Sequence, residues 1–322
     1  MKATSGVRER ALQEAGAILG DAAQRDVPLG PLTTYRVGGC AALLIHVAEV
    51  ADLALVHRAV MATDLPVLVV GRGSNLLVSD DGFRGLAVVL GPFAVEIDVD
   101  GHAVVAGGAV SLPVLARRTV AAGLTGLEWA VGVPGSVGGG VRMNAGGHGS
   151  DIASTLLRVR VFDLRSGEDG EVPASALGLR FRGSDLVDHQ IVVTACFGLE
   201  PGDRVASEAV LADIVRWRRE HQPGGQNAGS VFVNPVPGQL SAGEVIDELG
   251  LRGLRIGTAE VSRKHANFIQ ADEGGRADDV RAVMAAVRAR VLDERGIALR
   301  SEIRQVGFDE RDDGVRDREP TP

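Results

Sequence analysis

Apolar positions along the chain follow two periods. Val50, Leu53, Ala54, Val60 and Met61, with His57 among them, have helical spacing, and so do Val280, Val283, Met284, Val287 and Val291. The second stripe predicts a core helix that carries no chemistry. Residues 1–20 read as a short polar helix, and Asp203 to about His221 as a charged amphipathic one. Ser111 can cap a helix through Ala122, ended by Gly123. Ser241-Ala242-Gly243-Glu244 has capping-box spacing for a helix ending near Gly250. Strands are predicted at Thr33–Gly39, at Val67–Val70 behind Pro66, and at Ala87–Leu90. Val95–Val99 and His102–Ala106 form a hairpin across Asp100-Gly101. Leu157, Val159 and Val161 alternate with Arg158 and Arg160, a half-buried strand; Ile191–Leu199 and a final Leu299–Val306 follow. The chain shows no internal repeat.

Ten glycines fall within the twenty-seven residues Gly123–Gly149. The stretch is no linker, because Trp129, Val131, Val133, Val137, Val141 and Met143 require a core. Its VPGSVGGG portion reads as a tight turn into a short helix with successive N–H groups pointing outward, which suits an anion; a glycine-rich turn between strands is the plainer reading. A second turn, Gly71-Arg72-Gly73-Ser74-Asn75, follows a buried strand. Position 76 is leucine and another apolar run follows, so the dinucleotide fingerprint fails, and GxxxxGK[ST] is absent.

Composition narrows the class. A chain of 322 residues suggests two or three domains. A net charge of −8 and 3% aromatic residues argue against a nucleic-acid surface, though not against a local basic pocket. Cys40 and Cys196 lie far apart, without metal-ligand spacing, and are expected to be buried, reduced thiols. Seven scattered histidines predict no metal site. Neither a signal peptide nor a membrane-spanning run is present, and a cytoplasmic protein is expected. From Asp309 the tail holds six acids, three arginines and two prolines and is expected to be disordered.

Seven separated motifs then occur in one order: TTYRVGG, GRGSNLLV, TGLEWAVGVPGSVGGGVRMNAGG, FRGSDL, GSVFVNP, GLRIGTAEVSRKHANFI and SEIRQVG. Through them the chain, from about Thr33 to Gly307, resembles the UDP-N-acetylenolpyruvoylglucosamine reductases (UDP-N-acetylmuramate dehydrogenases), in the compact subclass. The resemblance implies the α+β FAD-binding fold of the vanillyl-alcohol-oxidase type, followed by a smaller α/β substrate domain. Expected boundaries are a lead-in over 1–30, an FAD-binding domain over 31–200 in two subdomains (about 31–92 and 93–200), a substrate domain over 201–307, and the tail 308–322.

The resemblance also implies an activity in peptidoglycan precursor synthesis, and through it in cell-wall biogenesis, cell shape, the cell cycle and division. NADPH would reduce non-covalently bound FAD, and the enolpyruvyl ether of UDP-N-acetylglucosamine would then enter the same cleft. Hydride would add to its terminal alkene carbon. Arg182 matches the family's arginine, Glu302 a glutamate that burial would keep protonated, and Ser230 the proton donor. The cofactor would be held by Gly71, Gly73, Ser74, Asn75, Val133, Pro134, Gly135, Ser136, Gly138, Gly139, Asn144 and Gly146. Asn234 would touch the substrate's diphosphate; Arg219, Lys264 and His265, with Arg218, would supply positive potential. Val233 stands where the family often has lysine, and His148 reads as a loop histidine. A monomer acting on a small molecule is expected. The alternatives are a sugar or alcohol oxidase of the same flavin fold, which has no use for Ser230 and Glu302 together, and a catalytically inactive flavin-binding module.

Overall fold

A computed structural model describes residues 2–308, with side chains from Gly6 onward; the expected disordered tail from Asp309 lies outside the described residues. The chain forms two compact units from interleaved segments. Among the described residues, one comprises 2–27, 41–72 and 84–218, and the other 28–40, 73–83 and 219–308.

In the first unit, five antiparallel strands lie in the order Asp169–Pro173, Leu156–Asp163, Gln190–Gly198, Ala103–Gly107, Ile97–Asp100. Successive residues point to opposite faces, and both faces are covered. Val159, Val161, Val192 and Ala195 enter one core with Trp129, Val137 and Val141. Phe162, Ile191 and Val193 enter the other with Leu43, Leu53 and Val88. A register shift between Leu156 and Arg158 buries Leu156 and turns Leu157 outward, so Leu157 is 50% exposed, contrary to the simple alternation expected. A second sheet orders Ala23–Pro28, Cys40–Val47, Phe83–Leu90 and Val67–Val69, the last pair parallel. Helices α1 (Lys2–Leu19), α2 (Asp52–Thr63), α3 (Leu112–Ala121) and α4 (Val137–Arg142) belong to this unit, as does α5 (Arg204–His221) up to Arg218. Ser111 occupies the N-cap of α3 without a side-chain capping bond.

In the second unit, α6 (Ala242–Glu248) and α7 (Ala277–Arg295) accompany a three-stranded antiparallel sheet, Arg255–Ile256, Ala259–Val261 and Ile269–Ala271. The predicted α7 stripe is buried throughout, and Tyr35, Val37 and Leu77 join its cluster, which is why two short early segments group with the C-terminal third. Ser241 and Glu244 form the predicted capping box.

Three expectations are corrected. Thr33–Gly39 is irregular, because Arg36 takes a left-handed φ of 55° while Tyr35 and Val37 sink into the core. Only Arg304–Val306 of the final segment pairs as a strand, parallel to Leu76–Val78. Cys40 is exposed at the start of its strand, and only Cys196 is buried. Among the described residues no helix is long and apolar enough to cross a membrane, and no cluster of three or more His, Cys, Asp or Glu side chains could hold a metal.

Candidate active site

The glycine-rich stretch enters α4 through Ser136, whose hydroxyl accepts the Gly139 N–H at 3.4 Å. The N–H groups of Val137 and Gly138 donate to Val110 and Gly108 carbonyls, both at 2.8 Å. These three donors therefore serve the fold and do not form the outward row expected from sequence. What the segment does offer is bare backbone. A Cβ at Gly71 would overlap the Ser136 hydroxyl, so the Gly71 turn lies directly against the α4 cap, and Gly71, Pro134 and Gly139 are exposed. Surface free of side chains lets a flat, extended ligand approach the main chain.

Downstream, Asn144 is buried with its amide fully engaged. Its Nδ2 donates to Asp151 Oδ2 at 3.1 Å and to the Arg180 carbonyl at 3.2 Å, and its Oδ1 accepts the Ala153 N–H at 2.9 Å. The Arg180 contact anchors the turn carrying Arg182. Arg180 and Gly183 exchange backbone bonds at 3.0 and 3.1 Å, and Ser184 Oγ donates to the Arg142 carbonyl at 2.7 Å. Arg182 sits on this turn at φ 58°, a left-handed conformation uncommon for arginine. Its guanidinium donates to the Gly146 carbonyl at 3.0 Å and lies 5.0 Å from the Phe181 ring centroid. Asn144 and Gly146 thus hold the arginine turn. His148 is an exposed loop residue edge-on to Trp217; burial and then the Arg218 charge lower its pKa.

In the second unit the turn continues through Gly73, Ser74 and Asn75. Gly73 has φ 59°, and a Cβ there would collide with the Leu32 carbonyl. The space beside Gly73 is filled by protein, where the sequence suggested room for a ligand. The Thr34 N–H donates to the Gly73 carbonyl at 3.2 Å, and the Thr34 hydroxyl is buried without a hydrogen-bond partner. A buried hydroxyl without a partner calls for an explanation, and a polar ligand group is one. Thr34 was missed by sequence reasoning, and its place in TTYRVGG was the available signal.

Asn75 faces Glu302. Its Nδ2 donates to the Glu302 carbonyl at 2.9 Å, and its own carbonyl accepts the Arg304 N–H at 3.0 Å. The Glu302 N–H donates to the Val231 carbonyl at 2.8 Å, and Phe232 bridges Ser301. Ser230 and Glu302 therefore lie on paired segments, both half-buried. Buried Asn267 fixes the Ser230 strand by accepting the Phe232 N–H at 2.9 Å and donating to the Phe232 carbonyl at 2.8 Å. Arg182 belongs to the first unit and is not part of this seam.

The chain belongs to the UDP-N-acetylenolpyruvoylglucosamine reductase family. Residues 221–306 match that reductase's C-terminal domain and residues 41–169 an FAD binding domain. A reductase of this name from Heliobacterium modesticaldum is 44% identical over 87% of this chain and 89% of its own length. One from Acidiphilium cryptum is 40% identical over 88% and 91%. The crystal structure of the Thermus caldophilus reductase matches with a TM-score of 0.75, at 35% identity over 88% of this chain and 98% of that one. The expected α+β flavoprotein class is borne out.

The residues expected on the substrate side make contacts within the protein. Asn234 Oδ1 accepts the first N–H of α6, from Ala242, at 3.1 Å. Lys264 Nζ donates to the Arg219 main-chain carbonyl at 2.5 Å. His265 accepts the Asn267 N–H at Nδ1 and lies tilted against the Phe268 ring; burial, then the Arg252 charge, lowers its pKa from 6.5. Both effects disfavour the charged ring. Arg218 is half-buried and donates to the Gly132 carbonyl. Val233 is buried, and its N–H donates to the Arg300 carbonyl at 2.9 Å.

Proposed function

We propose that this chain is an NADPH-dependent, FAD-containing reductase that converts the enolpyruvyl ether of UDP-N-acetylglucosamine to UDP-N-acetylmuramate, with Arg182, Ser230 and Glu302 as its catalytic residues. When FAD is bound, hydride for the terminal alkene carbon would come from it, and NADPH would restore it. Negative charge then develops on the neighbouring carbon and its carboxylate. Arg182 meets that carboxylate through a planar, permanently charged fork. Glu302, protonated, donates to the developing enolate. The Ser230 hydroxyl gives its proton to the carbon bearing the ether oxygen and recovers one from solvent. Gly71 and Gly139 offer exposed, side-chain-free backbone to the cofactor. Arg219 and Lys264 face the substrate's diphosphate.

The observation that supports the reading is the Val231–Glu302 hydrogen bond, which joins the Ser230 and Glu302 segments. An oxidase has no need of that pair. The reading includes a cytoplasmic monomer, the latter testable by sedimentation. Ser230→Ala tests the chemistry. NADPH should reduce the flavin of this variant at near the original rate, while reoxidation by the enolpyruvyl substrate slows at least about 10²-fold. In deuterated water the wild-type product should carry deuterium at the carbon bearing the ether oxygen. Equal slowing of both half-reactions would make Ser230 structural and sink the assignment.

A further inference from the structure

The Asn75–Glu302 contact joins residues 227 positions apart. Asn75 ends the GRGSN turn, where a cofactor contact is the obvious role for its side chain. Its Nδ2 instead donates to the Glu302 carbonyl, and its main-chain carbonyl accepts from Arg304, so one residue clamps the backbone on both sides of Ile303. The strand that follows, Leu76–Val78, pairs in parallel with Arg304–Val306 and continues the clamp. On its other side the Glu302 N–H is held by Val231. Both backbone polar groups of Glu302 are thus fixed, one from the turn and one from the Ser230 segment. Asn75 is the side-chain member of this arrangement, and the main-chain bonds do not depend on which residue stands there.

We propose that Asn75 is a positioning residue for the substrate half-reaction: it sets the backbone of Glu302, and through it the carboxyl's approach to the reacting carbon. The inference rests on the catalytic role assigned to Glu302 above. A loosely held acid loses rate steeply, since a displacement of about 1 Å can cost on the order of 10²-fold. Removing the Nδ2 donor leaves the Glu302 carbonyl without that bond and frees the segment to move.

The test is a double-variant cycle on the FAD-loaded enzyme with Asn75→Ala, Glu302→Gln and the pair, at saturating FAD so that altered cofactor affinity drops out. Stopped-flow absorbance follows flavin reduction by NADPH and reoxidation by the enolpyruvyl substrate separately. Asn75→Ala should slow reoxidation about 10- to 100-fold, and flavin reduction by much less. The pair should be no more than about threefold slower than Glu302→Gln alone, because a misplaced acid and an absent one are the same loss. The acid-dependent limb of the reoxidation pH profile should shift in Asn75→Ala and vanish in Glu302→Gln. Substrate titration of the oxidised enzyme, read by the flavin absorption band, should still give a perturbed spectrum with Asn75→Ala. Two outcomes overturn the proposal differently. Independent, multiplying effects would show that Asn75 acts elsewhere, with Glu302 intact as the acid. Unchanged reoxidation in Glu302→Gln would remove the catalytic role itself and this inference with it.

Discussion

Asp80 caps a helix that begins 197 residues later: its Oδ1 accepts the Ala277 N–H, the first of α7, at 3.1 Å. Oδ2 takes the next one, from Asp278, also at 3.1 Å. The N-cap residue of α7, Arg276, provides no side-chain capping bond, so the carboxylate in the 79–82 turn satisfies donors that would otherwise be orphaned. The accompanying Arg276–Asp80 ion pair is exposed on the arginine side and adds little. Asp80→Ala should cost about 0.5–2 kcal/mol, read as a lower urea midpoint at unchanged slope. A change below that range would show that water caps α7 equally well.

Glu128 makes a pH-dependent tie. Its carboxylate accepts Thr125 Oγ1 and Ser207 Oγ, each at 2.6 Å, and the Gly126 N–H at 2.8 Å, joining α5 to the stretch before α4. Burial raises this carboxyl's pKa, but the bonds from Ser207, Thr125 and Gly126 outweigh it, and the net shift is downward from 4.5. A depressed folded value means the contribution is complete above the unfolded pKa and disappears as pH falls through the folded one. Glu128→Gln should therefore lose about 1–3 kcal/mol at neutral pH, and its deficit should shrink on acidification below about pH 4. Urea titrations at several pH values check this; a deficit constant with pH would exclude the charge as its source.

Gly73→Ala separates a fold role from a ligand role. The left-handed φ of 59° and the collision with the Leu32 carbonyl are both present without any cofactor. Flavin-free protein should already be destabilised by more than about 1 kcal/mol. Loss of FAD affinity with an unaltered flavin-free melt would point to ligand contact as the reason for this glycine.

Arg182 holds a conformation that glycine would adopt without strain. Arg182→Gly should leave stability within about 1 kcal/mol, as relief of backbone strain offsets the lost bond to Gly146. Substrate reoxidation of the flavin should fall by at least about 10²-fold. Stability falling by several kcal/mol instead would make the guanidinium a structural strut.

His265 should titrate below its ordinary value. Its Cε1–H resonance is expected to move with a midpoint under 6.5, because burial and the Arg252 charge oppose protonation. On the proposed reading, the charge offered to the diphosphate then rests on Arg219 and Lys264. Lys264→Met should weaken substrate binding at low ionic strength, with a smaller effect as salt is added. A salt-independent loss would assign Lys264 a packing role.

The sequence by itself determined the local elements. The α7 stripe, the Ser241–Glu244 box, the Asp100-Gly101 turn and the spaced motifs each depend on residues within a few positions of one another, where period and capping chemistry act directly. It also carried the family and its cofactor class, because bare glycine turns and a Ser, Arg and Glu in fixed motifs are written in residue type. Only the tertiary structure decided how those residues are employed. Asn75 reaches Glu302, Asp80 reaches Ala277, and Asn144 reaches the Arg182 turn across 227, 197 and 36 positions. The N–H groups of Val137 and Gly138 are consumed by Val110 and Gly108. No periodicity encodes such bonds, since a donor's partner is whichever acceptor folding brings within about 3 Å, and that is a property of the assembled backbone.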